Sequence, residues 1–367
     1  MIAAADPVQR PAGAKLLFVE QRGTVQHRAR SAFAQLLRPG DLVIGNDAAT
    51  LPASLFGHHA ASGRPIEVRL AGRRSLDVSQ VGHFFAVVFG DGDFRTRTED
   101  RPPPPTLRPG DRLELGPLQA TVACLLNHPR LVLLHFEGSP REIWEGLARH
   151  GRPIQYSHVR SPLALWDTWS PIAGPPVAFE APSAGFVLTW DTLARLAVRA
   201  VQFATITHAA GVSSTGDPTL DARLPLDEPY RIPASTSRAI NRTRARNGRV
   251  IAIGTTVVRA VEHAAAVDGS VPAGEGLATQ KIGPLTRLRA VDAVLSGTHE
   301  RDTSHYQLLR AFVADATLNR MYEELDRHGY RTHEFGDSIF VESAATGAHL
   351  HPPATGAELH AVKSCCM

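Results

Sequence analysis

The chain has 367 residues, 43% of them hydrophobic and 20% charged, which supplies enough apolar material for two well-buried cores and excludes a disordered chain. Its 39 Lys and Arg against 36 Asp and Glu leave a net charge of +3, compatible with a nucleic-acid partner without requiring one. Three cysteines, Cys124 alone and the adjacent Cys365 and Cys366, exclude a disulfide framework and a spaced cysteine ligand set, so zinc is not expected. No apolar run reaches membrane-spanning length, and the opening MIAAADPVQRPAGAK has an early acid and two prolines in place of a signal-type apolar core. A soluble cytoplasmic protein with no membrane association is expected.

In chain order, residues 31–56 read as a helix, a Pro-Gly turn, a short apolar strand and a polar loop at Gly45–Thr50. From Gly57 to Phe136 the pattern changes to the runs PIEVRL, HFFAVVF, RLELG, ATVACLL and RLVLLHF between Gly, Pro and Asp turns, which predicts a small antiparallel β-domain. The prolines at 102–105 read as a stiff connection between its strands. After Glu137, helical patterns such as SPREIWEGLARHG and WDTLARLAVRA alternate with strand patterns such as FATITHAA and RVIAIGTT, which predicts an α/β domain with a largely parallel sheet or barrel. The first fifty-odd residues share that grammar. Residues 57–136 are therefore expected as an insert in one discontinuous α/β domain made of 1–56 and 137–343, with 344–367 as a loosely ordered tail.

Five places along the chain can carry chemistry. In RVIAIGTTVVRAVEHAA a strand ends in Gly254-Thr255-Thr256 and runs straight into a helix, whose unpaired amides suit an anion, a carboxylate or ribose hydroxyls. The plainer alternative is that a threonine caps the helix and Arg259 pairs with Glu262. In EAPSAGFVLTWDTLARL the small residues Pro182, Ser183, Ala184 and Gly185 permit close backbone approach to a ligand, or form an ordinary turn. Asn46 and Asp47 follow a strand, where they can bind hydroxyls, orient a base or make an Asx turn. His208 and His299 each follow an apolar run and are candidate bases. Gly336 and Asp337 form an acidic turn before a final strand, and Arg238, Arg242, Arg244, Arg246 and Arg249 form a basic face that either is solvated or contacts phosphates.

Taken together, RPGDLVIGNDAATLPASLFG, APSAGF, ATITH, NGRVIAIGTTVVRAVEHAA, VDAVLSGTHERDTS and YRTHEFGDSIFV resemble the motifs of the S-adenosylmethionine:tRNA ribosyltransferase-isomerase family of queuosine biosynthesis. They come in the family's order over about residues 15–342. The resemblance implies an α/β fold, a distorted barrel-like large domain bearing an inserted small antiparallel β-barrel. It also implies an enzyme that uses S-adenosylmethionine as ribosyl donor and no metal. The acceptor it implies is 7-aminomethyl-7-deazaguanine in a tRNA anticodon stem-loop, with epoxyqueuosine as the expected product and adenine and methionine as the expected leaving groups. By the same resemblance His208, His299 and Asp47 are expected to be catalytic. Asn46, Pro182, Ser183, Ala184, Gly185, Gly254, Thr255, Thr256, Arg259 and Asp337 are expected to bind substrate or donor.

The chain also departs from the pattern. Phe186-Val187-Leu188 stands for Leu-His-Phe, Ala209-Ala210-Gly211 for a Val-Gly-x run, Gly297-Thr298 for Asn-Phe and Glu300-Arg301 for Leu-Pro. These positions are ones expected to hold substrate. Two further readings follow from them: a paralogue passing the donor's ribose to another acceptor, and a non-catalytic nucleoside- or RNA-binding protein.

Overall fold

The computed structural model describes residues 1–301 and 303–344; the expected tail from residue 345 onward, with Cys365 and Cys366, lies outside the described residues. Near the N terminus the apolar runs KLLFV and LVIGN form β1 (Lys15–Val19) and β3 (Leu42–Asn46), and β2 (Val25–Ala29) folds back on β1. Every residue of β3 is buried, which explains a continuous apolar run where a half-exposed strand would alternate. The helix expected at SAFAQLL is a 3-10 helix, Arg30–Leu36, for which Ala29 offers no capping side chain.

Six strands then close into an antiparallel barrel: β4 (Ser54–His59), β5 (Pro65–Gly72), β6 (His83–Phe89), β7 (Arg112–Leu115), β8 (Leu118–Leu125) and β9 (Leu131–Phe136), in the order β8-β9-β6-β5-β4-β7. Closure leaves no free edge, and Leu55, Val68, Phe84, Leu113, Val122 and Leu134 fill the interior. One charged cluster is buried with them. Arg69 Nε donates to Glu67 Oε1 at 2.8 Å, Ser54 Oγ donates to the same oxygen at 2.7 Å, and Arg101 pairs with the other carboxylate oxygen. The Arg69 guanidinium also lies 5.5 Å from the centre of the Tyr156 ring, outside the barrel strands.

Helix α1 (Pro140–His150), opened by a Ser139–Glu142 capping box, leads back to the second part of the chain. There β10 (Gln202–His208), β11 (Glu228–Ile232), β12 (Val250–Ile253), β13 (Gly274–Ala278), β14 (Ala293–Gly297) and β15 (Ser338–Glu342) join β1–β3. Together they make a nine-stranded mixed sheet of order β13-β11-β10-β3-β12-β14-β15-β1-β2. Its centre, β10-β3-β12-β14, is parallel, and α2 (Trp190–Val198), α3 (Ala234–Ala245) and α4 (Thr255–Ala264) connect and cover it, with α5 (Ser304–Leu309) and α6 (Asp315–Arg327) before β15. The fold is α/β with a small inserted β-barrel. Among the described residues no helix is long and apolar enough to cross a membrane.

This topology fixes where a site can lie. Strands β10 and β12 flank β3 on opposite sides, so the chain reverses its direction of advance at β3. In such sheets a crevice opens beyond the carboxyl ends of the strands flanking that switch. Those ends are Asn46, His208 and Ile253, with Gly297 ending the next parallel strand.

Candidate active site

A cavity of about 380 Å³ occupies that crevice. One wall is the loop Pro182–Ala184, another is the β12–α4 turn Gly254–Thr256, and a third is Ser296 and Gly297 at the end of β14 with His299 just beyond it. The β12–α4 turn is shaped by a positive φ of 96° at Gly254, in a region of backbone space that only glycine occupies without strain. No side chain caps the first turn of α4, so its leading amides have no partner within the helix, and Thr255 and Thr256 line the cavity. A threonine cap is therefore not what the Gly-Thr-Thr sequence provides here. Nor does Arg259 pair with Glu262: it pairs with Glu228 and donates to the carbonyls of Leu226, Ala278 and Gln280, while Glu262 accepts from the amides of Arg289, Ala290 and Val291.

Of the expected site residues, Pro182, Ser183, Ala184, Gly254, Thr255, Thr256, Arg259 and His299 line this cavity. Five others do not. Asn46 lies behind it, where Nδ2 donates to the His208 carbonyl and Oδ1 accepts from the His208 amide, both at 2.9 Å, so the side chain stitches β3 to β10. Asp47 accepts from the Thr207 hydroxyl at 2.7 Å, and Gly185 packs against Ser170. Asp337 accepts from the amides of Lys15 and Arg331, holding the turn before β15 to the start of β1. His208 is fully buried, with Nε2 3.4 Å from Glu228 Oε2, and burial together with the nearby Arg259 pushes its pKa down to about 3. His208 does not line the cavity, whereas its neighbour Glu228 does.

Comparison with known proteins places the chain. The queuosine biosynthesis protein family matches residues 1–341. The chain belongs to that family. It is 31% identical to the S-adenosylmethionine:tRNA ribosyltransferase-isomerase of Pelobacter propionicus over 92% of this chain and 95% of that one. It is 32% identical to the enzyme of the same name from Thiobacillus denitrificans over 90% and 91%. A solved S-adenosylmethionine tRNA ribosyltransferase from Thermotoga maritima is 22% identical, covering 92% of this chain and 96% of that one with a TM-score of 0.49.

Several groups in this family member's cavity escaped the sequence reading. Glu180, immediately before the Pro-Ser-Ala-Gly loop, lines the cavity and accepts from the Tyr156 hydroxyl and from the Ser213 amide. Burial raises its pKa to about 7, against the opposing hydrogen bonds from Tyr156 and Ser213. Glu228, on β11, accepts from the Gly211 amide at 2.6 Å and carries the pair with Arg259. His305, at the start of α5, stacks on His299 with ring centres 3.7 Å apart. Burial, then their neighbouring histidines, holds His299 well below the usual imidazole range; burial brings His305 to about 4, against the pull of Glu334.

The stacked pair stands at a junction. A second cavity, of about 620 Å³, shares Ser213, Asp221, Leu224, His299, Ser304 and His305 with the first. It continues past Tyr156, His158, His333 and Glu334 to Arg97–Glu99, which belong to the connection between β6 and β7 of the barrel. Sequence reading had one usable signal for these residues, the carboxylate abutting the small-residue loop. The rest are brought together only by the fold.

Proposed function

We propose that this chain is an S-adenosylmethionine:tRNA ribosyltransferase-isomerase: it transfers and isomerises the ribosyl group of S-adenosylmethionine onto 7-aminomethyl-7-deazaguanine in a tRNA anticodon stem-loop, in the cytoplasm. The product is epoxyqueuosine, and adenine and methionine are released. The observation that carries this reading is the crevice at the switch point of the sheet, where the unpaired amides at the start of α4, the small-residue loop and the His299–His305 pair surround one cavity. The names of the two curated relatives, each matched over nine-tenths or more of its length, supply the reaction.

In this reading the amides of Thr255 and Thr256 receive the donor's carboxylate or ribose hydroxyls, and the backbone of Ser183-Ala184 lies close along it. The sulfonium acidifies the adjacent C5′ hydrogens, so the first requirement is a base of moderate strength inside the cavity. Glu180 meets it better than either histidine, because its pKa lies near 7 while both rings are held low. His299 and His305, neutral at pH 7, face the departing adenine and the incoming aminomethyl group as hydrogen-bond partners. The second cavity, open toward the barrel, admits the acceptor nucleotide. Arg238, Arg242 and Arg246 are exposed on and just after α3 and can meet backbone phosphates, whereas Arg249 is spent on Asp41 and Glu342.

The test is adenine release from S-adenosylmethionine with and without RNA carrying the deazaguanine. Release that requires the modified RNA supports this assignment. Release to a small-molecule amine alone favours the changed-acceptor reading, and tight donor binding without turnover favours a binding protein.

A further inference from the structure

We infer that the second cavity holds a binding site for a borderline divalent metal ion, of the zinc or cobalt class, built from His158, His333 and Glu334. The three ligand atoms lie within 4.8 Å of one another. His158 Nε2 and Glu334 Oε2 are 3.1 Å apart. A tetrahedral ion with bonds of about 2.0–2.1 Å sets its donors about 3.3 Å apart, so this edge of the polyhedron is already formed. The His158 and His333 rings stack with centres 4.2 Å apart and planes 16° from parallel, so the two imidazoles are held together, and one ring must rotate for both in-plane lone pairs to meet a single ion.

Three further observations point the same way. His333 has φ of 70°, a left-handed conformation in which histidine is among the better tolerated residues, and its amide donates to the Thr298 carbonyl, which fixes where its ring leaves the backbone. Glu300 Oε1 lies 3.0 Å from His333 Nε2, the arrangement of a carboxylate that orients an imidazole or adds a fourth donor. All three ligands line the cavity of about 620 Å³, so an ion held by two imidazoles and one carboxylate keeps a position open for a water or a ligand oxygen. Such an ion stands beside the acceptor path proposed above. The binding claim itself does not depend on that function. A cluster of two histidines and two carboxylates can also persist as an ion-pair network without a metal, and the two descriptions differ in one measurable property.

The experiment is a titration of the chelator-treated full-length chain with Zn²⁺ by calorimetry and with Co²⁺ by its visible ligand-field absorption. Because His27, Glu324 and His328 form a second group of potential ligands on the surface, the reference protein carries His27→Ala and His328→Ala. We expect one ion per chain in that background, with tetrahedral-type cobalt bands. Affinity should fall by at least about tenfold to a hundredfold on adding His333→Ala, and similarly on adding His158→Ala or Glu334→Gln. Thermal melts of the metal-free variants check that each is folded, and Glu334→Gln keeps the size of the side chain. Absence of binding in the reference protein, or binding unchanged by all three substitutions, overturns the proposal. Adenine release measured on the same samples reports on the proposed enzymatic function separately, so either reading can fail without the other.

Discussion

At the scale of single residues, the site is governed by which groups are left free to react. Glu180 is raised to about 7 by burial, so between the ordinary carboxylate range and pH 7 the folded chain holds a proton that the unfolded chain has lost. Stability should fall as pH rises through that window, by up to about 3 kcal/mol. Glu180→Gln removes the titration: its melting temperature should exceed the parent's at pH 8 and match it near pH 4.5. The same substitution should lower adenine release by roughly a hundredfold or more and abolish the rise in rate centred near pH 7. A different prediction attaches to Gly254→Ala. With φ of 96° and the Ala184 Cβ 3.4 Å from where a new methyl would sit, it should cost about 1–3 kcal/mol and raise KM for S-adenosylmethionine, as read from denaturant melts and steady-state rates. The Gly254-Thr255-Thr256 turn was legible in the sequence because strand, turn and helix are contiguous there. Glu180 was not, because its partner Tyr156 is 24 residues away and only the fold pairs them.

At the scale of elements, the central strands are held in register by a side chain first read as a ligand group. Asn46 makes two hydrogen bonds of 2.9 Å to the backbone of His208 and accepts from the Ala48 amide. Asn46→Ala should leave those buried groups unpaired and cost about 2–3 kcal/mol in urea unfolding. The sequence leaves a ligand site and an Asx turn open; the Ala48 amide donating to Asn46 Oδ1 at 3.1 Å makes the Asx turn, and the tie to His208 is added by the fold. Elsewhere the local signals sufficed. Helix α1 was read from SPREIWEGLARHG, and its capping box is present. Strand β4, SLFGHH, straddles the expected boundary between Phe56 and Gly57, so the first barrel strand begins three residues before it. Gly57 is required there by a crossing so close that a Cβ would lie 1.9 Å from the Glu114 carbonyl oxygen.

For the molecule as a whole, the buried charge cluster carried by barrel strand β5 and the crevice in the large sheet meet at Tyr156. Its hydroxyl donates to Glu180, and its ring faces the Arg69 guanidinium. Burial alone would raise the Glu67 carboxyl, but Arg69 and Arg101 more than offset it and hold the pKa below the ordinary value. Its contribution to stability is thus present at neutral pH and is lost as pH falls through the folded-state value. Glu67→Gln should leave two buried guanidinium groups without their counter-charge, costing about 3–5 kcal/mol at pH 7 and less in acid, as measured by thermal unfolding. None of this network was legible beforehand. In PIEVRL, Glu67 and Arg69 alternate with the apolar positions, so they lie on the opposite face of β5 from the interior residue Val68, and only the fold, which brings Arg101 and Tyr156 against them, buries that face. The order of motifs along the chain did reveal the α/β fold with its small β-barrel, because each is a local strand end or turn, whereas the large domain expected as barrel-like is built on a nine-stranded mixed sheet.

The central claim is that the crevice beyond β3, β10 and β12 passes a ribosyl unit from donor to RNA. The most direct measurement is mass analysis of an anticodon stem-loop carrying 7-aminomethyl-7-deazaguanine after incubation with the protein and S-adenosylmethionine. A mass gain equal to the epoxycyclopentanediol unit of epoxyqueuosine, with equimolar adenine and methionine, is the predicted result. An unchanged stem-loop in the presence of a folded, donor-binding protein would contradict it.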